Sequence, residues 1–471
     1  MSGLFSTLDA SVKAITAHSR ALEISGKNLA NVNNPDYARQ RVIFGDRGTV
    51  MTPQGAQSLG FEALGVEQLR DALLDQQVMR EVSRTAELSA EQAGYQRAQA
   101  GLGQSIDRTQ SAGSSGAATT TGLAAALDDF FNAFGSLAAS PTDVGERQTL
   151  MQRAAILTDR FQLADQRLDQ VQADLDSQIN TDVASTNRLL TAVADLNSQI
   201  ARMEVNAPGS AVDLRDQRQA RLEELAAKMN ISTAETANGS ITVSARDGAG
   251  ATVQLVNQSA VLGTVMFNGT QVTAGSPATV IALGAGSIQG SLTARDGAVQ
   301  TLRDNLDRLA AQIVTSVNAA YNPTGATGNF FDPAGTAAGT IRVATGFTAT
   351  TLKASDGGAP GDNTIAVAVA ALAEHAFSTA GGDSIDGRFS GFMANTVSSL
   401  GQSLSSANAE VQDQENIEKL VRNQRDSLSG VSLDEEMADM MKFQRAFQAS
   451  SRVFSIVDEL LNLVVNRLGS G

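Results

Sequence analysis

Leu8, Ile15, Leu22 and Leu29 recur every seven residues near the start of the chain, and Leu433, Met440, Phe447, Phe454, Leu461 and Leu468 do the same at its end. A seven-residue apolar repeat draws a narrow stripe along a helix, and such a helix needs a second stripe to cover it. At the carboxyl end Phe443, Val457 and Val464 fill the intervening place, with Ser450 the one polar interruption. At the amino end Phe5 and Val12 begin a second row that weakens at Ser19 and Gly26. The first helix is expected over Gly3 to Ala30, roughly 42 Å at 1.5 Å per residue. The last is expected to start after Gly430, where Ser432 and Glu435 have the spacing of a capping box. Together the termini predict two helices of one coiled coil.

Between them, residues 67–109, 121–139, 142–204, 213–229, 290–320 and 392–428 carry apolar residues at helical spacing, as at Leu69, Leu73, Leu74 and Val78. Segments 111–121 and 206–210 read as a loop and a turn. From Ile231 the pattern changes to short alternating runs separated by Asn-Gly and Asp-Gly, a hairpin signal. That predicts a β domain over 231–289 with a small core of its own from Ile241, Val243, Val253, Leu255, Val261 and Leu262. A Gly-rich stretch over 322–366, with one strand at Thr340 to Ala344, reads as loops making surface contacts. The expected architecture is mainly α with an inserted small β domain, elongated, with the β domain facing outward. Its parts are residues 1–60 and 425–471 for the terminal coiled coil, 61–230 and 290–424 for a helical rod, and 231–289 for the insertion.

The chemistry-bearing residues are sparse. With no cysteine and only His18 and His375, neither a thiolate nor a multi-histidine metal site can be built, and no cofactor is expected. His18 falls among polar positions and is expected on a solvated face. A net charge of −15 argues against nucleic acid. No run of 18 apolar residues and no apolar core before a cleavage site is present, so neither membrane insertion nor a cleaved signal peptide is expected. "GDSIDG", residues 382–387, offers Ser384 as an esterase nucleophile, but His375 alone makes a poor base assembly and the stretch reads as a turn. Acidic runs such as Asp434 to Glu436 read as complements to a helix dipole. No enzyme is expected.

"GKNLANVNNPDYARQRV", residues 26–42, ends the first helix in Asn28, Asn31, Asn33 and Asn34 and reverses the chain at Pro35. Asn28 and Asn31 lie one turn apart, where amides can hydrogen-bond across a seam. This block resembles the amino-terminal signature of flagellar axial proteins, with Asp36 where glycine is frequent and Tyr37, Arg39 and Gln40 retained. "SGVSLDEEMADMMKFQRAFQASSRVFSIVDELL" near the other end is similar to the carboxyl block of the flagellar hook-associated protein 1 family. "DLRDQR" at 213–218, and "KAS" followed by "GDN" at 353–363, match internal landmarks of that family.

The resemblance implies a structural protein of the bacterial flagellum, outside the cell, joining hook to filament. Export would run through the flagellar type III apparatus without a cleaved signal. Its implied partners are further copies of itself, the hook protein, the second hook-associated junction protein and a flagellar export chaperone at the C-terminal helix. The assembly interface is expected at Leu8, Ile15, Leu22, Leu29, Leu433, Met440, Phe443, Phe447, Phe454, Val457 and Leu461, with Asn28, Asn31, Asn33 and Tyr37 of the turn. Another axial protein (second junction protein, hook or distal rod), a secreted esterase using Ser384, and a cytoplasmic coiled-coil adaptor are the alternatives.

Overall fold

The computed structural model describes residues 2–46, 48–52, 55–58, 60–102, 122–325, 328–357, 359 and 361–467. The chain divides into two compact units: Met1–Thr85 with Asp182–Gly286 and Gln414–Gly471, and Ala86–Thr181 with Ser287–Asp413. Three of these limits fall inside helices, away from the boundaries expected near 60, 230 and 424, while the fourth, between Gly286 and Ser287, lies just before a helix and close to the boundary expected at 289. The cause is the length of α2 (Ala72–Leu102), α4 (Val144–Met203) and α9 (Phe389–Ser429), each of which supplies residues to both units.

In the first unit α1 (Ser2–Ala30) leads into a β ribbon that the helical periodicity did not announce. Strands β1 (Gln40–Asp46) and β4 (Phe61–Gln68) pair antiparallel from Gln40 opposite Gln68 to Asp46 opposite Phe61. Their tip carries a smaller hairpin, β2 (Thr49–Thr52) with β3 (Gly55–Ser58). The helix expected from residue 67 therefore begins at Ala72, since Glu67 and Gln68 are held in the ladder. The carboxyl end forms α10 (Leu433–Arg467). Asn28 meets Glu436 and, farther up α1, His18 meets Phe443, so α1 and α10 pack side by side and antiparallel. Leu468 lies outside the described residues, as do 103–121, which include the loop expected at 111–121.

The insertion does form a sheet. Strands β5 (Ser232–Glu235), β6 (Ile241–Asp247), β7 (Thr252–Asn257), β8 (Ala260–Val261), β9 (Met266–Phe267), β10 (Val272–Ala274) and β11 (Thr279–Ala282) run antiparallel in the order β8-β7-β6-β11-β10-β9, with β5 also on β6. Val243, Leu255, Val256 and Ile281 are buried, whereas Val261 is exposed and Ile241, Val253 and Leu262 are only half-buried. The small core is completed by clamps from α4 and α5 (Val212–Lys228). Asn197 donates to the carbonyls of Ile241 and Gln258, each at 2.7 Å, and accepts from the Ile241 amide at 3.0 Å. Asn187 makes the same two-way pairing with Val265, and Arg218 donates to the Gly239 carbonyl at 2.7 Å.

The second unit is built around aromatic rings. Phe130 and Phe134 of α3 (Leu123–Ala139), Phe161 of α4, and Phe330 and Phe331 are fully buried. Ring centroids of Phe330 and Phe331 lie 4.9 Å apart, and those of Phe130 and Phe134 5.2 Å. The Gly-rich stretch thus enters the core through Phe330, Phe331, Ile341 and Leu352 instead of serving only as surface loop. Thr340 to Ala344 is not a strand; it contributes a single bridge, Phe331 to Val343. Helix α6 (Ser287–Thr293) continues through a π-helical turn, Ala294–Val299, into α7 (Gln300–Tyr321). Glycines bring α2 against it. A Cβ at Gly290 would lie 2.0 Å from the Glu87 carbonyl oxygen, and one at Gly94 2.3 Å from the Ala294 methyl. The short helix α8 (Thr364–Ala371) completes this core with Ile365 and Val369.

Candidate functional site

The helix pair α1 and α10 with the turn between α1 and β1 is the candidate site. On α1 the buried positions are Ser11, Ala17, Ala21, Ile24, Ser25 and Asn28. Leu8, Ile15, Leu22 and Leu29 are half-buried flanks, and Phe5 and Val12 are exposed. The buried face is thus turned away from the leucine stripe, because the small Ala17 and Ala21 side chains let α10 and the ribbon approach closely while leucines would hold them off. On α10 the expected stripe is closer to the mark. Val457 and Leu461 are buried, with Met440, Phe443, Phe447 and Phe454 half-buried on the same face. Leu433 is 47% exposed, and Glu436, only 2% exposed, takes the inward place one turn later.

Asn28, 1% exposed, explains the asparagine stop. Its Nδ2 donates to the Gln40 carbonyl at 2.8 Å and to Glu436 Oε2 at 3.1 Å. Its Oδ1 accepts from the Tyr37 hydroxyl at 2.7 Å and the Gln40 amide at 3.0 Å. One amide therefore joins helix, turn, strand and the far end of the chain. Asn31 and Asn34 act locally, Asn31 donating to the Lys27 carbonyl at 2.9 Å and Asn34 to Asn31 at 3.3 Å. Asn33 is exposed on the rim of an open concavity of about 480 Å3, whose walls include Asn34, Tyr37, Arg39, Leu428 and Val431. Burial, reinforced by the carboxylates of Asp216, Asp213 and Glu436, pushes the Tyr37 phenol up.

Arg39 locks the same junction. Its Nε and Nη1 donate to Glu436 and Glu435, each at 2.6 Å, and its backbone amide donates to the Ser429 carbonyl at 2.8 Å. The Glu435 carboxylate is therefore engaged by a guanidinium, the stronger charge-assisted partner, and does not close the capping box. Acidic residues at the start of α10 hold a cation from the far terminus as well as facing a helix dipole.

The "DLRDQR" segment, seen in the sequence only as a landmark, supplies the second layer. Asp213 pairs with Lys27 at 2.5 Å; burial works against its charge, but hydrogen bonds from Lys27 and Gln40 hold its carboxyl below the usual range. Arg215 pairs with Glu204 and Glu235, each at 2.8 Å. Asp216 accepts from Arg70 at 2.7 Å, and Arg70 also reaches Asp75 at 3.1 Å. Burial carries the Asp216 carboxyl up to about 6 despite Arg70. Arg425 of α9 pairs with Glu223 of α5 at 2.5 Å. Charges at i and i+3 on one short helix, with partners only in distant segments, leave no local signal.

Elsewhere, Ser384 stands in a turn as expected. Its amide donates to Gln312 at 2.6 Å and its carbonyl accepts from Arg308 at 2.9 Å, while Asp383 and Asp386 bind Ser378 and Thr379 within the loop. Among the described residues no histidine hydrogen-bonds Ser384, no cluster suits a metal ion, and no helix is long and apolar enough to cross a membrane. His18 departs from expectation, since its ring lies among Phe44, Phe61 and Phe443 instead of in solvent.

Comparison with known proteins bears on both ends and on the middle. Residues 113–331 match the family described as the flagellar hook-associated protein FlgK helical domain, and residues 422–468 match the flagellar basal body rod FlgEFG protein C-terminal family. Flagellar hook-associated protein 1 of Bacillus subtilis (strain 168) is 26% identical over an alignment that spans 100% of both chains. Along its whole length the chain is similar to flagellar hook-associated protein 1, and both family matches agree with that likeness. The proteins of that name from Salmonella typhimurium and Escherichia coli (strain K12) are 27% and 25% identical over 47% of this chain, covering 37% and 38% of their own length. A solved flagellar hook junction protein, FlgK of Burkholderia pseudomallei, aligns over 52% of this chain and 43% of its own with a TM-score of 0.44 and 20% identity. The carboxyl match, 422–468, contains all of α10 and so coincides with one half of the candidate site.

Proposed function

We propose that this chain is a structural axial protein of the bacterial flagellum that joins hook to filament and assembles through α1 and α10. The reading rests on the similarity to hook-associated protein 1 and on the two flagellar family matches. The observation that carries the assembly role is the apolar surface left on α10. Val453, Ile456, Leu460 and Leu463 are each 45–57% exposed. At 100° per residue they cluster roughly a third of a turn from Val457 and Leu461, so α1 covers one face and leaves this one open. Further copies of the chain, the hook protein and the second junction protein are the partners it would meet, and an export chaperone would shield the same helix before assembly. Export would use the flagellar type III apparatus, placing the protein outside the cell.

A strain lacking the protein, complemented with Ile456→Glu plus Leu460→Glu, tests this. The variant is expected in the medium as a folded monomer, with hooks bearing no filament. Normal filaments on that strain would overturn the assembly role of α10, and filaments on the uncomplemented strain would overturn the junction role altogether.

A further inference from the structure

The contact between α1 and α10 holds a titratable group, His18. His18 of α1 lies with its ring centroid 5.3 Å from Phe61 of β4, 6.3 Å from Phe44 of β1 and 6.5 Å from Phe443 of α10. Phe44 in turn contacts Phe61 at 5.8 Å and Phe443 at 6.2 Å. Four rings from four separate elements thus close on one another, and only one of them can take up a proton. The His18 Nδ1 atom is shielded from solvent and has no hydrogen-bond partner.

That geometry distinguishes the two protonation states. In neutral imidazole one nitrogen carries no hydrogen, and a bare acceptor among apolar rings is tolerable. In imidazolium both nitrogens carry hydrogens, so protonation would bury an unsatisfied, charged N–H donor at Nδ1. The surrounding charges offer no relief. Lys13 of α1 is shared between Asp9 and Glu62 of β4; Arg20 pairs with Glu23, Arg41 of β1 with Glu67 of β4, and Lys442 of α10 with Asp439. Asp46 at the end of β1 accepts from the Gly48 amide. None of them hydrogen-bonds the imidazole, and Lys442 lies over the Phe443 ring at 5.6 Å, adding a like charge to the neighbourhood.

We propose that His18 is a proton-sensitive pin: as neutral imidazole it completes the packing of α1, the β1/β4 ribbon and α10, and on protonation it loosens that packing. Burial, holding the His18 basicity below the ordinary imidazole value, acts in the same direction. With the folded value depressed, the stabilisation is present above about pH 6.5, the value for an unfolded chain, and is lost as pH falls below it. The terminal helices would then separate from the ribbon at mildly acidic pH, ahead of the second unit. This goes beyond the proposed junction role and is read on the isolated chain.

Two histidines make the test direct. In full-length protein carrying ring-labelled histidine, NMR gives one set of ring signals per histidine, and His18→Phe assigns one by removing it. The His18 midpoint is expected below about 6.5, with amide exchange in residues 11–28 and 440–457 rising at least threefold between pH 7 and 5.5. In His18→Phe that rise should shrink to the level seen elsewhere in the chain. A His18 midpoint at or above 6.5, or an undiminished rise in a folded His18→Phe protein, would overturn the proposal; should His18→Phe fail to fold, the wild-type midpoint, assigned through His375→Gln, decides alone.

Discussion

Asn28 and Glu436 hydrogen-bond at 3.1 Å with both side chains buried, joining the end of the first helix to the start of the last across almost the whole chain. Four hydrogen bonds converge on that one amide. Asn28→Ala leaves Tyr37, the Gln40 amide and Glu436 short of partners and is expected to destabilise the first unit by about 2–3 kcal/mol. Urea unfolding followed by amide exchange in α1 and α10 reads this out, and an unchanged midpoint would show that water replaces the amide at no cost.

Arg39 separates charge from geometry. Arg39→Ala strands the buried Glu436 carboxylate and is expected to cost roughly 3–5 kcal/mol, the range for breaking a buried pair. Arg39→Lys restores the charge but not the two-pronged contact with Glu435 and Glu436, so it should fall between wild type and alanine. Thermal unfolding of the three proteins at equal ionic strength gives the order; equal melting of lysine and alanine variants would mean that charge alone contributes nothing.

The sheet inserted between α5 and α6 is expected to depend on α4 and α5. Asn197 alone serves two carbonyls and one amide of the β segment and accepts from Arg218. Asn197→Ala should loosen β6 and the turn after β7, lowering stability by about 2–3 kcal/mol. Replacing Ser232–Gly286 by a Gly-Ser linker should leave the second unit folded while α4 and α5 lose protection around Asn187, Asn197 and Arg218. Amide exchange across these helices is the measurement, and full protection after the deletion would show the sheet to be an independent module.

Gly290 and Gly94 sit where α2 meets the α6–α7 helix. Gly290→Ala forces its methyl into the Glu87 carbonyl and should cost about 1–3 kcal/mol through displacement of α2. Gly297→Ala, on the same helix with open space around the added methyl, should be tolerated. The contrast in melting temperature between the two variants is the check.

Asp216 provides a pH signature of the opposite sign to His18. Its carboxyl, raised by burial to about 6, takes up protons more readily folded than unfolded. Its contribution to stability is therefore present at low pH and lost as pH rises through about 6. Asp216→Asn, which mimics the protonated acid, should gain on wild type as pH goes from 4 to 7. A constant difference between the two unfolding curves would place the Asp216 titration outside that window.

Local pattern carried much of this protein into view. Heptad spacing in Leu433 to Leu461 and proline-free runs such as 142–204 specify helices through side-chain periodicity, which needs no knowledge of neighbours. Asn-Gly and Asp-Gly punctuation likewise announced the sheet, because turn conformation is a property of two residues. The asparagine block and the carboxyl block were family-specific enough to give the flagellar reading.

Tertiary structure decided what faces what. Heptad spacing marks an apolar stripe but not which side of it a partner will choose, and on α1 the choice went to Ala17, Ala21 and Asn28, since small side chains admit a closer partner than leucines do. The β1/β4 ribbon escaped notice because its alternation is short and its apolar members find their rings on other elements, His18 and Phe443 among them. In the sequence Glu436 reads as one of an acidic run facing a helix dipole, Asp216 as part of a landmark segment, and Arg425 carries no signal at all. Only the fold reveals them as buried, for an ion pair between residues hundreds of positions apart leaves no periodicity, and its worth depends on how completely water is excluded around it.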